Sequence, residues 1–258
     1  MAQRDTEQDA EQAGLEQARE LLSAAGRVTV LTGAGVSTDS GIPDFRGPQG
    51  VWTKNPAAER IWTFEHYRDD DEVRRAAWQE RVEHPMWTAR PGPAHDALVA
   101  LERSGKLVAL LTQNIDELHQ AAGSSPDSVL ELHGSNHHTV CLTCRAVTPM
   151  VEALDRVRAG EDDPRCPHCG GVLKATTIMF GEMLDVEVLG RAREAALACD
   201  VFLAVGTSLG VHPAAGLVDI AAMAGAEVVI VNAEPTPYDR IASVVLRGGI
   251  SQVLPAIV

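Results

Sequence analysis

Short, continuously apolar runs alternate along this chain with longer stretches whose apolar positions recur at helical spacing. A continuous apolar run is typical of a strand buried on both faces of a parallel sheet, and helical spacing is typical of amphipathic helices. The runs predicted as strands are 28–31, 107–112, 129–132, 176–179, 201–205 and 228–231, and the main predicted helices are 8–25, 94–103, 151–158, 186–198 and 213–224. This alternation predicts an α/β fold built on a doubly wound parallel sheet.

Two segments interrupt the alternation and divide the chain. Residues 48–90 are rich in Trp and charged residues and predict a helical insertion. Residues 137–175 contain two CxxC pairs and predict a smaller inserted metal-binding module. The remaining segments are predicted to be a disordered tail at 1–8 and one main domain formed by 9–47, 91–136 and 176–258.

Composition narrows the classes of function. The 258 residues are 45% hydrophobic and 22% charged, which is ordinary for a globular protein with a sizeable core. The formal net charge of −14 argues against non-specific nucleic-acid binding, which depends on Lys and Arg. No apolar stretch approaches the roughly 20 residues of a membrane span. The polar N-terminal sequence lacks a signal-peptide pattern, so a cytoplasmic location is expected.

Polar motifs directly follow five of the predicted strands. They are Gly33-Ala34-Gly35, Gln113-Asn114-Ile115-Asp116, His133-Gly134, Gly206-Thr207-Ser208 and Asn232. The carboxyl ends of the strands form the ligand crevice in an open α/β sheet. The sequence therefore predicts that the five motifs converge on one site at one edge of a Rossmann-like sheet.

The loop at residues 33–47, which reads GAGVSTDSGIPDFRG, indicates nucleotide binding. Glycines let backbone N–H groups approach a phosphate closely, and the guanidinium of Arg46 suits a phosphate or a carboxylate. The ordinary GxGxxG dinucleotide fingerprint would require a glycine where this chain has Thr38. An ordinary dehydrogenase is therefore disfavoured.

The side chains at the predicted strand ends have chemistry suited to a ligand. Gln113 and Asn114 both donate and accept hydrogen bonds, which suits ribose hydroxyls, and Asp116 can accept from a carboxamide. Asn114 or Asp116 can equally cap the helix that follows. The imidazole of His133 can take a proton near neutral pH and is the candidate catalytic base, with a structural role at a strand end as the alternative. Thr207 and Ser208 have helix capping as their alternative role.

The cysteine spacing predicts a structural zinc site. Cys141, Cys144, Cys166 and Cys169 form two CxxC pairs that match a closed, tetrahedral four-thiolate site. His168, between the second pair, is the alternative ligand. The segment has no basic stripe, so nucleic-acid binding by this module is not expected.

These motifs, in this order and approximate spacing, resemble those of the sirtuins, the NAD-dependent protein deacylases. The resemblance covers roughly residues 15–258 and implies NAD as co-substrate, a structural zinc and an acylated-lysine protein or peptide as substrate. It implies that nicotinamide and O-acyl-ADP-ribose are released, with acetyl the favoured acyl group. It also implies catalytic roles for His133, as the general base acting on the ribose, and for Asn114.

The resemblance also assigns binding residues. For NAD they are Gly33, Ala34, Gly35, Asp44, Phe45, Arg46, Gln113, Asn114, Ile115, Asp116, Gly206, Thr207, Ser208, Asn232, Glu234 and Ile250. For the acyl-lysine peptide they are Phe180, Gly181, Glu182 and Val211.

The chain departs from common sirtuin patterns in two places. Residues 175–179 lack the usual Pro and Val/Phe residues, and Glu117 stands where Gly is frequent. Sirtuins that remove succinyl or malonyl groups present a Tyr and an Arg three residues apart, where this chain has Trp78 and Arg81. Arg81 is thus either an acyl contact or, with Trp78, a packing residue. Two other functions remain open: an ADP-ribosyltransferase or NAD hydrolase using the same site, and a non-catalytic NAD-binding regulatory module.

Overall fold

The computed structural model describes residues 2–45, 47, 50–54 and 60–258, with the side chains of 2–8 and of Trp52 left out. The α-helices are α1 (Ala2–Ala24), α2 (Val51–Lys54), α3 (Phe64–Asp69), α4 (Asp71–Glu83), α5 (Pro93–Arg103), α6 (Leu118–Ala122), α7 (Met150–Arg158), α8 (Val186–Ala198), α9 (Leu217–Met223) and α10 (Ile250–Ile257). The strands are β1 (Val28–Thr32), β2 (Leu107–Thr112), β3 (Val129–Glu131), β4 (His138–Cys141), β5 (Val147–Pro149), β6 (Leu173–Ala175), β7 (Val201–Val205), β8 (Glu227–Val231) and β9 (Val244–Leu246). Short 3₁₀ helices lie at Ala34–Ser40, Pro85–Trp87 and Ala214–Gly216.

Six strands form one sheet in the order β3-β2-β1-β7-β8-β9, and every neighbouring pair is parallel. Counted within this sheet alone, the strand order is 3-2-1-4-5-6, the doubly wound arrangement that binds dinucleotides. The order reverses between β1 and β7, and ligands bind at such a switch point. The predicted Rossmann-like fold is therefore confirmed.

Both faces of the large sheet are covered by helices. Val30 of β1 packs with Leu22 of α1 and Leu98 of α5 on one face. Leu31 of β1 packs with Ala192 of α8 on the other. All five residues of β1 are buried because neither face meets solvent. This two-sided burial explains why the strands read as continuous apolar runs.

A smaller antiparallel sheet, in the order β5-β4-β6, forms a second core with α7 and α4. Trp78 of α4, from the segment predicted as a helical insertion, packs there with Met150, Leu154 and Leu173. The hydroxyl of Tyr67 donates to the Leu173 carbonyl oxygen at 2.8 Å. The helical insertion and the cysteine module are therefore packed against each other.

The structure corrects several predicted elements. Residues 176–179 are not a strand of the large sheet, because the chain pairs at β6 with β4 and then crosses to the end of β3, where the Ile178 N–H donates to the His133 carbonyl oxygen at 2.8 Å. Strand β9 and helix α10 were not predicted. Helix α1 begins at Ala2, within the predicted tail, where Ala, Gln and Glu favour helix. Among the described helices none is both long and apolar enough for a membrane span.

Candidate active site

A cavity of about 990 Å³ opens at the carboxyl ends of the parallel strands. It is lined by every predicted catalytic, NAD and substrate residue that the structure describes: Gly33, Ala34, Gly35, Asp44, Phe45, Gln113, Asn114, Ile115, Asp116, His133, Phe180, Gly181, Glu182, Gly206, Thr207, Ser208, Val211, Asn232, Glu234 and Ile250. Arg46, the remaining predicted residue, lies outside the described residues.

The strand register brings these motifs together. Thr32, the last residue of β1, pairs with Thr112 at the end of β2 and with Val205 at the end of β7. Val205 in turn pairs with Val231 at the end of β8. The strands therefore end at the same level, and the loops that follow them leave the sheet side by side.

The glycines at the switch point make a close approach of two loops possible. The N–H of Gly33 donates to the Val205 carbonyl oxygen at 3.0 Å, and the N–H of Gly35 to the Gly206 carbonyl oxygen at 2.9 Å. A Cβ atom at Gly33 or Gly35 would lie 2.7 Å from the backbone of Gly206. These two N–H groups are thus engaged within the protein, and the glycines provide the space in which the loops after β1 and β7 pack.

A buried hydrogen-bonded group lies beside this switch point. The hydroxyl of Ser37 donates to Asp116 Oδ2 at 2.7 Å and accepts from Asn114 Nδ2 at 3.2 Å. Asp116 Oδ1 also accepts from the N–H of Leu118, the first residue of α6, at 3.0 Å, although Glu117 occupies the N-cap position itself. The amide nitrogen of Asn114 is thus held within the protein, and its amide oxygen remains available to a ligand.

His133 is held in one tautomer. Its Nδ1 lies 3.1 Å from the Gln113 carbonyl oxygen, which can only accept, so Nδ1 carries the proton and Nε2 is bare. Burial lowers the pKa of His133 below 6.5, although the hydrogen bond to Gln113 acts in the opposite direction. The ring is therefore neutral at physiological pH and can accept a proton through Nε2.

The far side of the cavity is built from β7, β8 and β9. Gln113 Nε2 donates to Thr207 Oγ1 at 2.8 Å across the switch point, and Thr207 Oγ1 accepts from the Leu209 N–H at 3.2 Å. Arg247, after β9, donates to the carbonyl oxygens of Asn232 and Glu234, each at 2.7 Å. These bonds fix the two polar loops after β7 and β8 relative to the sheet.

The predicted peptide segment is joined to the helical insertion. The Phe180 N–H donates to the Trp62 carbonyl oxygen, and the Phe64 N–H to the Phe180 carbonyl oxygen, both at 2.9 Å. The rings of Trp62 and Phe45 meet edge to face, with centroids 5.8 Å apart. An aromatic wall therefore connects the nucleotide loop with the peptide segment.

Glu182 forms an ion pair with a buried lysine, Lys174. Its Oε2 accepts from the Met179 N–H at 2.9 Å and pairs with Lys174 Nζ at 2.9 Å. Lys174, on β6, also donates to the Thr177 carbonyl oxygen. The Glu182 carboxylate therefore closes the turn around Gly181, and the backbone of this segment is what remains for a ligand to contact.

Trp78 and Arg81 do not line the cavity. Both are buried, and the Arg81 guanidinium lies 5.1 Å over the Trp78 ring. Arg81 Nε donates to Asn136 Oδ1 at 3.0 Å. The structure therefore supports the packing alternative for this pair.

The four predicted metal ligands form one cluster with their Sγ atoms all within 4.8 Å of one another. Cys141 and Cys169 have Sγ atoms 3.5 Å apart, and those of Cys144 and Cys166 are 3.6 Å apart. Tetrahedral zinc with Zn–S bonds of 2.3 Å requires sulfur separations of about 3.8 Å. The four thiols therefore fit a structural zinc ion.

Sequence reasoning missed several residues that shape the site. Ser37 lies inside the glycine loop, but nothing in the sequence distinguished it from the neighbouring Thr38 and Ser40. Trp62 belongs to the insertion, whose pairing with Phe180 has no local signal. Arg247 follows a strand of only three residues, which is too short to be recognised by its pattern.

Comparisons with known proteins agree with this geometry. A model of the Sir2 family matches residues 33–213. The NAD-dependent protein deacetylase 2 of Streptomyces coelicolor is 55% identical over 230 residues, covering 89% of this chain and 95% of that protein. The NAD-dependent protein deacetylase 1 of Pyrobaculum aerophilum is 46% identical over 244 residues, covering 93% and 92%.

Solved structures give the same result. One from work on the mechanism and regulation of Sir2 enzymes superposes with a TM-score of 0.88 at 42% identity, covering 95% of this chain and 96% of that one. A Sir2 protein with a p53 peptide and NAD⁺ has a TM-score of 0.81 at 34% identity, covering 91% and 93%. Family match, sequence identity and structural superposition agree, and the chain belongs to the Sir2 family, the sirtuins.

Proposed function

We propose that this protein is an NAD-dependent protein lysine deacylase, with acetyl-lysine as its main substrate. The observation that carries the proposal is a neutral His133, with its Nδ1 proton bound to Gln113, in the cavity that also contains Asn114 and the predicted peptide segment. The names of relatives such as the Streptomyces coelicolor deacetylase support the same reaction.

The donor set of the cavity fits NAD. NAD supplies nicotinamide as the leaving group and ADP-ribose as the acceptor of the acyl group. Asn114 and Asp116, held by Ser37, offer acceptor oxygens for the nicotinamide amide and the ribose. Gln113, Thr207 and Ser208 offer polar groups for the remainder of the nucleotide at the switch point.

In this proposal His133 is the general base. Its bare Nε2 takes the proton of a ribose hydroxyl, while the Gln113 carbonyl oxygen holds the ring and stabilises the charged imidazole that results. The aromatic wall of Phe45 and Trp62 excludes water from the reacting end of the cavity.

The substrate is proposed to be an extended peptide that adds as a strand beside residues 180–182. Backbone hydrogen bonds then provide affinity with little sequence preference. Sir2 structures with a bound acetylated peptide support a peptide substrate. Because Arg81 is engaged by Asn136 outside the cavity, a neutral acyl group is preferred to a succinyl or malonyl group.

A panel of acylated-lysine peptides tests the proposal. Acetyl, longer neutral and succinyl peptides are incubated with and without NAD, and O-acyl-ADP-ribose is followed by mass spectrometry. We expect NAD-dependent product that is greatest for acetyl. No product from any peptide contradicts a deacylase. ADP-ribose attached to protein without deacylation would instead identify an ADP-ribosyltransferase.

A further inference from the structure

Two buried histidines lie next to the catalytic cavity without lining it. His95 on α5 and His119 on α6 are 0% and 1% exposed, and their ring centroids are 5.0 Å apart. Burial lowers the pKa of His119 to about 3, with the nearby His95 acting in the same direction. Burial also lowers the pKa of His95. Both rings are therefore neutral, and each has one donor and one acceptor nitrogen.

Hydrogen bonds to the first ring determine its tautomer. The Gly92 N–H donates to His95 Nδ1 at 3.1 Å, so this nitrogen is bare. The proton of His95 must then be on Nε2. His95 Nε2 is buried and has no hydrogen-bond partner among the described residues.

The second ring has the complementary arrangement. The hydroxyl of Thr32 donates to Thr112 Oγ1 at 2.8 Å, which uses the only proton of that hydroxyl. The Leu111 carbonyl oxygen, at 3.5 Å, is the more distant acceptor. Thr32 Oγ1 can therefore only accept from His119 Nε2, which lies 2.9 Å away. This leaves His119 Nδ1 as a bare acceptor, buried and without a partner among the described residues.

The two unpartnered atoms are thus a donor on His95 and an acceptor on His119, on neighbouring rings whose planes are tilted by 54°. No hydrogen bond joins these two atoms among the described residues, so the two rings contact each other by packing. The hydrogen bonds that are formed run from His119 to Thr32 and from Thr32 to Thr112.

This series of hydrogen bonds ends at the loop after β2, which contains Asn114. Thr112 Oγ1 accepts from the Asn114 N–H at 3.0 Å, next to the amide that Ser37 holds. We propose that His119, packed against His95, is a positioning residue that fixes the backbone of Asn114 through Thr32 and Thr112. The inference rests on the proposed function of Asn114, and extends it to residues that touch neither NAD nor peptide.

Two isosteric substitutions on the same strand separate positioning from plain stability. Thr32→Val removes the hydroxyl that links His119 to Thr112. Thr29→Val removes an equally buried hydroxyl, which donates instead to the Ala195 carbonyl oxygen at 2.8 Å. We expect both variants to lose similar thermal stability. Only Thr32→Val should lose kcat/KM for NAD, by about tenfold, which the free energy of one hydrogen bond allows. Thr32→Ser, which restores the hydroxyl, should recover most of the activity.

Substitution of the histidine gives an independent measurement. Glutamine carries an N–H donor at a position close to Nε2 of histidine, so His119→Gln should retain activity while His119→Leu loses it. In the ¹⁵N NMR spectrum of the unliganded protein, His119 should be protonated on Nε2 alone, and the ring should stay neutral well below pH 6.5. This spectrum does not depend on turnover, so it tests the hydrogen bond from His119 to Thr32 even if the protein is not a deacylase.

Three results would overturn the proposal. They are equal activity loss in Thr32→Val and Thr29→Val, a His119 proton on Nδ1, and unchanged activity in His119→Leu. An inactive wild-type protein with the expected His119 spectrum would contradict the proposed deacylase function alone.

Discussion

His133 Nδ1 and the Gln113 carbonyl oxygen are 3.1 Å apart, and this contact sets the chemistry of the candidate active site. A carbonyl oxygen cannot donate, so the imidazole must keep its proton on Nδ1 and offer Nε2 as a base. The same strand-end loop that holds the base also contains Asn114. His133 and Asn114, the proposed base and a proposed nucleotide-binding residue, are thus both positioned by the segment of backbone after β2.

The first prediction concerns the pH dependence of His133. A pKa lowered by burial keeps the ring neutral, and in the proposed mechanism the neutral ring is the base. The value of kcat/KM should therefore fall on the acid side with a midpoint below 6.5. His133→Ala should reduce turnover at least about a hundredfold without changing thermal stability greatly. A pH–rate profile checks the midpoint, and an acid limb centred above pH 6.5 would contradict it. An activity assay of His133→Ala checks the loss of turnover.

The second prediction concerns Ser37. Ser37→Ala removes the donor to Asp116 and the acceptor for Asn114, so the Asn114 amide loses its fixed orientation and Asp116 keeps its bond to the Leu118 N–H. We expect kcat/KM for NAD to fall about tenfold, since one to two hydrogen bonds are lost. Ser104→Ala is a matched control, because its hydroxyl bonds the Leu101 carbonyl oxygen outside the cavity. Equal kinetics for wild type and Ser37→Ala would remove Ser37 from the site.

The third prediction concerns the cysteine cluster. Metal analysis should find one zinc per chain, and its removal by a chelator should lower the melting temperature and abolish activity. Cys144→Ser should lose the metal. Cys199→Ala should retain it, because Cys199 is not one of the four clustered cysteines and is buried in the core of the large sheet. A folded, fully active protein without metal would show that the cluster has no structural role.

The fourth prediction concerns Glu131 at the end of β3. Burial raises its pKa from 4.5 to about 7, although Gln120 donates a hydrogen bond to it. A raised pKa means that the protonated carboxyl stabilises the fold, and this contribution is lost as the pH rises through about 7. Glu131→Gln should therefore increase stability at pH 8, by about 1 kcal/mol given its partial exposure, and change little at pH 4. Denaturant unfolding at the two pH values measures this, and a gain at pH 4 alone would contradict it.

The order of apolar runs and polar motifs was sufficient to predict a doubly wound parallel sheet with the polar motifs at one edge, whereas the strand order, the switch point and β9 came from the structure. The runs at β1, β2 and β7 are buried on both faces, so their pattern depends little on distant contacts. The run at 176–179 has the same local pattern but lies between two sheets. Its path is decided by hydrogen bonds to His133 and His138, which no local pattern encodes.

Glu117 shows how backbone geometry limits a motif comparison. Its φ of 56° is left-handed, a conformation that glycine adopts without steric cost, which accounts for the glycine that is frequent there in sirtuins. The Glu117 side chain accepts a hydrogen bond from Ser135 and lies 3.8 Å from His137. The departure seen in the sequence is therefore accommodated by local contacts.

The sequence by itself determined the family, the parallel sheet, the four thiols and the polar motifs that line the cavity, but not Ser37, Trp62 or Arg247, which line it as well. These follow from local patterns and from motifs whose spacing is set by strands and loops. Only the tertiary structure decided the tautomer of His133 and the ion pair between Glu182 and Lys174. The packing of Arg81 on Trp78 and the contact between the rings of His95 and His119 were likewise decided by the tertiary structure. The reason is physical: proton positions and side-chain partners depend on atoms from distant segments, and burial brings those atoms within hydrogen-bond distance.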